Sequence, residues 1–347
     1  MKVSDLKRII EVPVFNAVKN NISKYTEFIN IKDDGDRFIV QSYNGISAIE
    51  TSLSKDYDLF TGCVLASDLY KFLNTLKDDD DVKFETLEDR IVIRYGKKGK
   101  FIAKSIPARE FPVIDIMGLC VKGDKSITLT DEFVNTLVTA STYCNRAVGH
   151  LNGIFINKGS IYSTDRSVLY KNFLNLDNEI VTYMPIELVK FIIKFKNYID
   201  LIRFFDKGFF VAGKSLHYWY PVNEYTMPNF SDVLNVLNKS IFTPIFIDVT
   251  DELKSIFNRI SEFSEFVKFS ITGKTIEVSC DNMSETIDTN WDVSDEVIFK
   301  VGSTYLKNVA KSSCNSIKLY KESAGNIKFI KCDDLNNNFE ILIATIL

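Results

Sequence analysis

The sequence predicts an α+β protein in which one domain is used three times in tandem. Two observations carry that prediction. Leu69, Phe72, Leu73 and Leu76 form a helical stripe that returns as Leu188, Phe191, Ile192 and Phe195, and in weaker form as Leu306, Val309 and Ala310, at intervals of 119 and 118 residues. A long fixed period marks a repeated structural unit. The 347 residues also exceed one ordinary core, and a third of that length, about 116 residues, is near the most common domain size. The 27 phenylalanines and 15 tyrosines favour strands around those helices.

The first helix of each repeat has a common start: Ser4-Asp5-Leu6, Thr130-Asp131-Glu132-Phe133 and Thr250-Asp251-Glu252-Leu253. A hydroxyl N-cap followed by carboxylates satisfies free backbone N–H groups and suits the helix dipole. Apolar residues then follow at helical spacing: Phe133, Leu137, Ala140 and Cys144 in the second repeat, and Leu253, Ile256, Phe257, Ile260 and Phe263 in the third. Pro13 is expected to kink or split the first helix.

A strand-turn-strand pattern follows each first helix. Phe28–Ile31 and Phe38–Val40 flank Asp33–Asp36, Gly153–Ile156 and Ile161-Tyr162 flank Asn157–Gly159, and Val267–Ile271 and Thr275–Val278 flank Thr272-Gly273-Lys274. A further strand leads into each second helix (Cys63–Leu65, Ile180–Tyr183, Val297–Val301), and another hairpin follows it, as in Val82–Glu85 with Ile91–Arg94. Each domain is thus a half-unit used twice. The extended segments around Pro112 and Pro228 lie 116 residues apart and place the domains at 1–122, 123–238 and 239–347.

With 46% hydrophobic and 25% charged residues, the composition is that of a soluble globular chain. No apolar stretch is long enough to span a membrane, so a cytoplasmic protein with no membrane partner is expected. Six scattered cysteines (Cys63, Cys120, Cys144, Cys280, Cys314, Cys332) and two histidines (His150, His217) give neither a disulfide framework nor a zinc site. Buried reduced thiols and no metal or cofactor are expected. A net charge of −4 argues against a conventional nucleic-acid binder unless the positive charge is concentrated on one surface.

Gly208 to Ser215 fits the phosphate-loop expression G-x-x-x-x-G-K-[ST] letter for letter. A nucleotide-binding enzyme built on it is the alternative reading, and a β-rich scaffold with no DNA partner is a third. Yet such a loop must follow a buried strand and open a helix. Here Phe209–Ala212 reads as a strand entered from the turn Asp206-Lys207-Gly208, and Leu216–Pro221 reads as a strand too. The acidic run Asp78–Asp81 lacks the spaced ligands and glycine of a calcium loop and reads as a solvated turn. No nucleophile and base stand together, so an enzyme is not expected.

Several local motifs complete the picture: Met1-Lys2-Val3, Arg109-Glu110-Phe111-Pro112, Leu151-Asn152-Gly153-Ile154, Ser163-Thr164-Asp165, Pro185 and Tyr305-Leu306. Together with the threefold repeat and the length, they make the chain resemble the bacterial β subunit of the DNA polymerase sliding clamp and its bacteriophage versions. The resemblance covers the whole chain. It implies the DNA-clamp fold and a head-to-tail homodimer forming a ring that encircles double-stranded DNA in the cytoplasm. It also implies a DNA polymerase and a clamp loader as partners.

The helices can be tested against that role by their charges. Lys71 and Lys190 sit two residues after the first leucine of their stripes, on the face away from the core. Lys194, Lys196, Lys307 and Lys311 flank the same polar faces, and Lys7, Arg8, Lys254 and Arg259 follow the acidic starts of the first helices. Converging helices of this kind would line a positive channel that holds the phosphate backbone loosely, without reading bases.

The family docks partner peptides in an apolar pocket between its second and third domains. The matching positions here are Leu151, Thr164, Arg166, Val168, Leu169, Ile241, Ile341 and Ile343. Where the family has Thr-Asp-Gly-His-Arg-Leu, this chain has Thr164-Asp165-Arg166-Ser167-Val168-Leu169. Its end, Ile343-Ala344-Thr345-Ile346-Leu347, lacks the usual Met-Pro-Met-Arg character. Ring closure is expected where Phe101 and Ala103, on an edge strand, meet Ile260 and Phe263 of a second copy.

Overall fold

The computed structural model describes residues 1–18, 23–87, 90–119, 125–177, 179–205, 208–222, 228–230, 241–321, 327–334 and 339–345. Cys120 and the turn residues Asp206 and Lys207 lie outside that set, as do Tyr225, Thr226 and Met227 of the second boundary segment. Among the described residues the α-helices are α1 (Val3–Asn16), α2 (Ala66–Asn74), the short α3 (Ile116–Leu119), α4 (Asp131–Ser141), α5 (Ile186–Lys194), α6 (Asp251–Ile260) and α7 (Ser303–Lys311). None is long and apolar enough to cross a membrane.

The repeated stripes form the cores beneath the second helices. Leu69 and Leu73 of α2, Leu188, Phe191 and Ile192 of α5, and Leu306 and Val309 of α7 are all fully buried. Thr250 caps α6 by accepting the Leu253 N–H. α1 departs from expectation because it starts at Val3, with no side-chain cap. Its first N–H groups go instead to the acidic loop, Val3 to the Asp80 carbonyl and Ser4 to that of Asp78, each at 3.0 Å. Lys2–Asp81 and Lys7–Asp78 ion pairs fasten the same loop, so the aspartate run is the cap of α1. Nor does Pro13 split α1. The carbonyl of Ile9, which Pro13 leaves without an N–H donor, accepts from the Thr51 hydroxyl at 3.4 Å.

The chain forms two compact units that do not follow the repeats: Met1–Thr130 with Lys194–Asn223, and Asp131–Ile193 with Glu224–Leu347. Unit 1 holds a nine-stranded antiparallel sheet. Its order is Ser105-Ile106, Gly62–Leu65, Phe28–Asp33, Arg37–Tyr43, Ala48–Ser54, Leu216–Pro221, Gly208–Ala212, Leu201–Phe205 and Lys125–Thr128. Unit 2 holds an eight-stranded sheet in the corresponding order: Val181–Pro185, Gly153–Asn157, Ser160–Thr164, Val168–Phe173, Phe339–Ala344, Ile327–Asp333, Ser316–Lys321 and Ile241–Asp248. Each sheet joins the strands after the first helix of one repeat to the strands after the second helix of the following repeat. The joins are Ala48–Ser54 on Leu216–Pro221 and Val168–Phe173 on Phe339–Ala344.

Two smaller sheets remain. Unit 1 has a three-stranded sheet of Val82–Leu87, Arg90–Tyr95 and Gly99–Ala103. Unit 2 has a long hairpin of Phe266–Cys280 and Met283–Gly302. The third hairpin therefore turns at Asp281-Asn282, not at Thr272–Lys274. Gly273, at φ +54°, lies at a register shift that the strand passes through.

Candidate functional site

The turn Asp165–Val168 joins two strands of the unit 2 sheet, and the side chain of Asp165 shapes it. One carboxylate oxygen accepts the N–H groups of Ser167 and Val168, each at 2.9 Å, while the other takes the Tyr305 hydroxyl of α7 at 2.6 Å. Two motifs that are 140 residues apart thus meet. Burial, and then the bond to Asp165, pushes the Tyr305 phenol up to about 12. Thr164 finishes the turn by donating to the Val168 carbonyl at 2.6 Å and accepting the Arg166 N–H at 3.1 Å.

Beside this turn lies a mainly apolar groove with a cavity of about 120 Å³. Thr164, Arg166, Val168 and Leu169 line it, together with Ser167, Pro228, Phe230, Phe329, Leu342 and Ala344. Leu151 is buried in the cluster that holds Phe155, Leu169, Tyr183, Phe230 and Leu342. Ile341 and Ile343 are corrected by strand alternation: they point to the opposite face, fully buried, while Leu342 and Ala344 reach the groove. The side chain of Ile241 lies outside the described residues. Phe230, which pattern reading missed, stacks on Tyr162 at 4.5 Å and meets Phe155 edge-on at 5.4 Å. The spacing of Pro228 from Pro112 could have signalled it.

An ion-pair ladder runs over four neighbouring strands of the same sheet. Lys171 faces Glu340 at 3.6 Å, Lys331 faces Glu340 at 2.9 Å and Asp333 at 3.2 Å, and Lys318 faces Asp333 at 2.8 Å. Burial works against the charge of Lys331, but Glu340 and Asp333 together raise its pKa above the usual lysine value. These charges are engaged with one another; among the described residues that line the groove, Arg166 is the charged one.

The basic residues of the helices divide into two groups. Lys7 pairs with Asp78, Arg8 with Asp5, Lys307 with Glu262, and Arg259 with Glu285 through both ends of its guanidinium. Lys254 donates to the Ser312 carbonyl. Lys194 is 3.8 Å from Glu11 and lies over the rings of Phe15 and Phe195, and Lys196 is exposed with a partner of its own. Lys71, Lys190 and Lys311, one on each second helix, are exposed; no described side chain pairs with Lys71 or Lys190, and Lys311 interacts electrostatically with Glu262. Lys311 also borders a polar depression of about 560 Å³ with Asn135, Thr139, Ser312 and Ser313.

At the expected closing surface Gly99–Ala103 is an edge strand, but its parity is reversed. Ala103 is buried and Phe101 stacks on Phe72 at 4.1 Å, while Ile102 between them is half exposed. Ile260 is fully buried in its helix core, whereas Phe263 is 62% exposed.

The phosphate-loop expression falls on a β-hairpin, with Gly208–Ala212 antiparallel to Leu216–Pro221. Close backbone approach explains its glycines: a Cβ on Gly208 would meet the Tyr220 carbonyl oxygen at 2.4 Å and one on Gly213 that of Tyr198 at 1.7 Å. No helix follows to gather N–H groups around a phosphate. Among the described residues, Cys63, Cys144, Cys280, Cys314 and Cys332 are free thiols, and no cluster of side chains is disposed to hold a metal ion. Burial pushes Cys63 and Cys144 up to about 12, far from the range of a nucleophilic thiolate.

Repeated helix-and-hairpin halves, joined strand to strand, define an α+β protein with the DNA-clamp fold. Solved structures place it more narrowly. The Helicobacter pylori β clamp bound to a DNA ligase peptide matches at TM-score 0.82 and 14% identity, over 100% of this chain and 99% of that one. The DNA polymerase III β subunit sliding clamp from Bartonella birtlesii, bound to griselimycin, matches at 0.82 and 16%, over 100% and 98%. Caulobacter crescentus pol III β matches at 0.81 and 15%, over 100% and 99%. The chain has the fold of the β sliding clamps. No family model matches it, and no curated protein sequence does.

Proposed function

We propose that this protein is a DNA polymerase processivity factor, a sliding clamp whose three domains (1–122, 123–238 and 239–347) form half of a ring around double-stranded DNA. The observation that carries the reading is the pair of unmatched half-sheets. In units 1 and 2 the strands after the first helix of one repeat are joined by those after the second helix of the following repeat. Two halves lack their complement: the three strands ending at Gly99–Ala103, and the hairpin Phe266–Gly302. Each is what the other needs, and both belong to one chain. A second copy placed head to tail completes both joins at once, which closes a dimer and removes its open edges. Ile102 and Phe263, exposed apolar residues of those regions, suit such a contact.

The helices supply what a moving tether needs. Lys71, Lys190 and Lys311 offer positive charge without bidentate grips or base-reading side chains, which holds phosphate loosely and in a salt-sensitive way. The unit 2 groove supplies an apolar seat for a short peptide of a polymerase or clamp loader, in keeping with the ligase peptide carried by the Helicobacter pylori clamp. This role asks for no chemistry of the protein itself, and places it in the cytoplasm with the replicating DNA.

Sedimentation at micromolar concentration tests closure: a species of about 79 kDa is expected, twice the 39.7 kDa chain. A 39.7 kDa species alone, persisting with DNA and a loader, refutes it. Retention on nicked circular DNA and loss after linearisation tests encirclement. Changing Lys71, Lys190 and Lys311 together to Glu should abolish retention and leave sedimentation unchanged.

A further inference from the structure

We infer that Arg166 makes the unit 2 groove selective for peptides that carry a carboxylate beside their apolar anchors; the inference rests on the docking role proposed for that groove. The argument comes from comparing two turns of the same construction. In unit 1 the Asn44 side chain accepts the N–H groups of Ile46 and Ser47, and the residue between, Gly45, has φ +91°. In unit 2 Asp165 accepts those of Ser167 and Val168, and the residue between, Arg166, has φ +88°.

The backbone makes one demand in both places, and glycine meets it without strain while a side chain with a Cβ does not. Unit 1 keeps the glycine where its chain covers the junction. Unit 2 holds an arginine in the strained conformation at the lip of an open groove. Strain of this kind persists where the residue has work to do.

Charge says what that work is. Arg166 is exposed and no described residue pairs with it, and the walls beside it are apolar: Leu169, Phe230, Phe329 and Leu342. The adjoining Asp165 is held by Tyr305 and two backbone N–H groups, and Lys171, Lys318 and Lys331 are held in the ladder. A peptide whose apolar side chains fill the groove therefore meets an unengaged cation at its lip. A guanidinium fork suits one partner best, the carboxylate of an aspartate or glutamate next to those anchors.

The test uses two fluorescein-labelled decapeptides with a Leu-Ile-Phe trio, one preceded by aspartate and one by asparagine. Wild type should bind the aspartate peptide at least about tenfold more tightly, as a charge-assisted pair allows. Arg166→Gly, which also relieves the backbone, should bring the ratio to one and leave the asparagine peptide unchanged, with Arg166→Lys between. A wild-type ratio near one, with both peptides lost in Phe329→Ala, overturns the selectivity and keeps the groove. Failure of both peptides to bind, or binding indifferent to Phe329→Ala, removes the docking role and this inference with it. Displacement of the peptide by a thymidine hexanucleotide at lower concentration than by unlabelled peptide would assign the cation to nucleic acid and overturn the peptide assignment.

Discussion

In unit 1 the strand Ala48–Ser54 receives Leu216–Pro221, and in unit 2 Val168–Phe173 receives Phe339–Ala344. The strand order around these joins corresponds, and so do the turns at Asn44 and Asp165, yet the coverings differ. In unit 1 the segment after Pro112 packs down: Ile116 is 1% exposed in a cluster with Ala48 and Phe210, flanked by Ile114 and Trp219. Gln41 donates to the carbonyl of Ile114 and ties that segment to the sheet. In unit 2 the segment after Pro228 brings Phe230 into the equivalent place and leaves a cavity beside it. At the Pro112 and Pro228 segments one architecture thus yields a covered seat in unit 1 and an open groove in unit 2, while unit 1 keeps its own cavity of about 260 Å³ beside Thr51, Leu53 and Leu216. The difference lies in a few residues of the connecting chain, not in the sheet.

The comparison can be broken at its plugs, where the largest effects are expected. Phe230→Ala removes a buried ring and should destabilise unit 2 by about 3–5 kcal/mol, and Ile116→Ala should destabilise unit 1 by about 2–4 kcal/mol. Urea unfolding resolved by hydrogen exchange assigns each loss to its unit. The turns come next. Asp165→Ala removes the acceptor of two N–H groups and of the Tyr305 hydroxyl, at a cost of about 2–3 kcal/mol, and Asn44→Ala should cost about 1–2 kcal/mol. A smaller loss at Asp165 than at Asn44 would mean that Tyr305 adds nothing.

The pH response should also separate the units. Burial pushes Tyr170 and Tyr305 up to about 12 and Tyr143 higher still, all in unit 2. The folded state keeps these phenols protonated beyond the unfolded value of 10.0. Their contribution is therefore complete below pH 10, and fades as pH rises through about 12. Amide exchange should report unit 2 opening first on that alkaline limb, and Tyr305→Phe should flatten the decline. Glu50, in unit 1, has the opposite sign: His217, at 3.8 Å, and Gln41, at 2.9 Å, hold it below its ordinary value of 4.5. Its contribution is complete above that pH, is lost as pH falls through the lowered value, and should shrink in Gln41→Ala.

The smallest effect belongs to the two positive-φ positions. Arg166→Gly should stabilise unit 2 by up to about 1 kcal/mol, whereas Gly45→Arg should cost unit 1 about 1–2 kcal/mol. Equal responses in thermal melts would show that the turns are not alike.

The sequence by itself determined the periodic parts: the leucine stripes of α2, α5 and α7, the Thr250 cap, most hairpins, and the placing of the phosphate-loop match on strands. Helical and strand periodicity are local, and burial follows them directly. The Thr164–Leu169 side of the groove was reached through the resemblance to the clamp family, not through periodicity or turn chemistry. Only the tertiary structure decided what depends on distant partners. The aspartates that cap α1 lie more than seventy residues from its first turns, and Ser4 cannot reveal that backbone carbonyls will take its place. The choice of Leu342 over Ile341 rests on strand parity, which a run of four apolar residues conceals. The pairing of half-domains across the repeats, which makes the sheets and leaves two halves unmatched, was also beyond the sequence. Hydrogen bonding between strands is a property of edges, and a sequence of similar repeats does not say which edge will meet which.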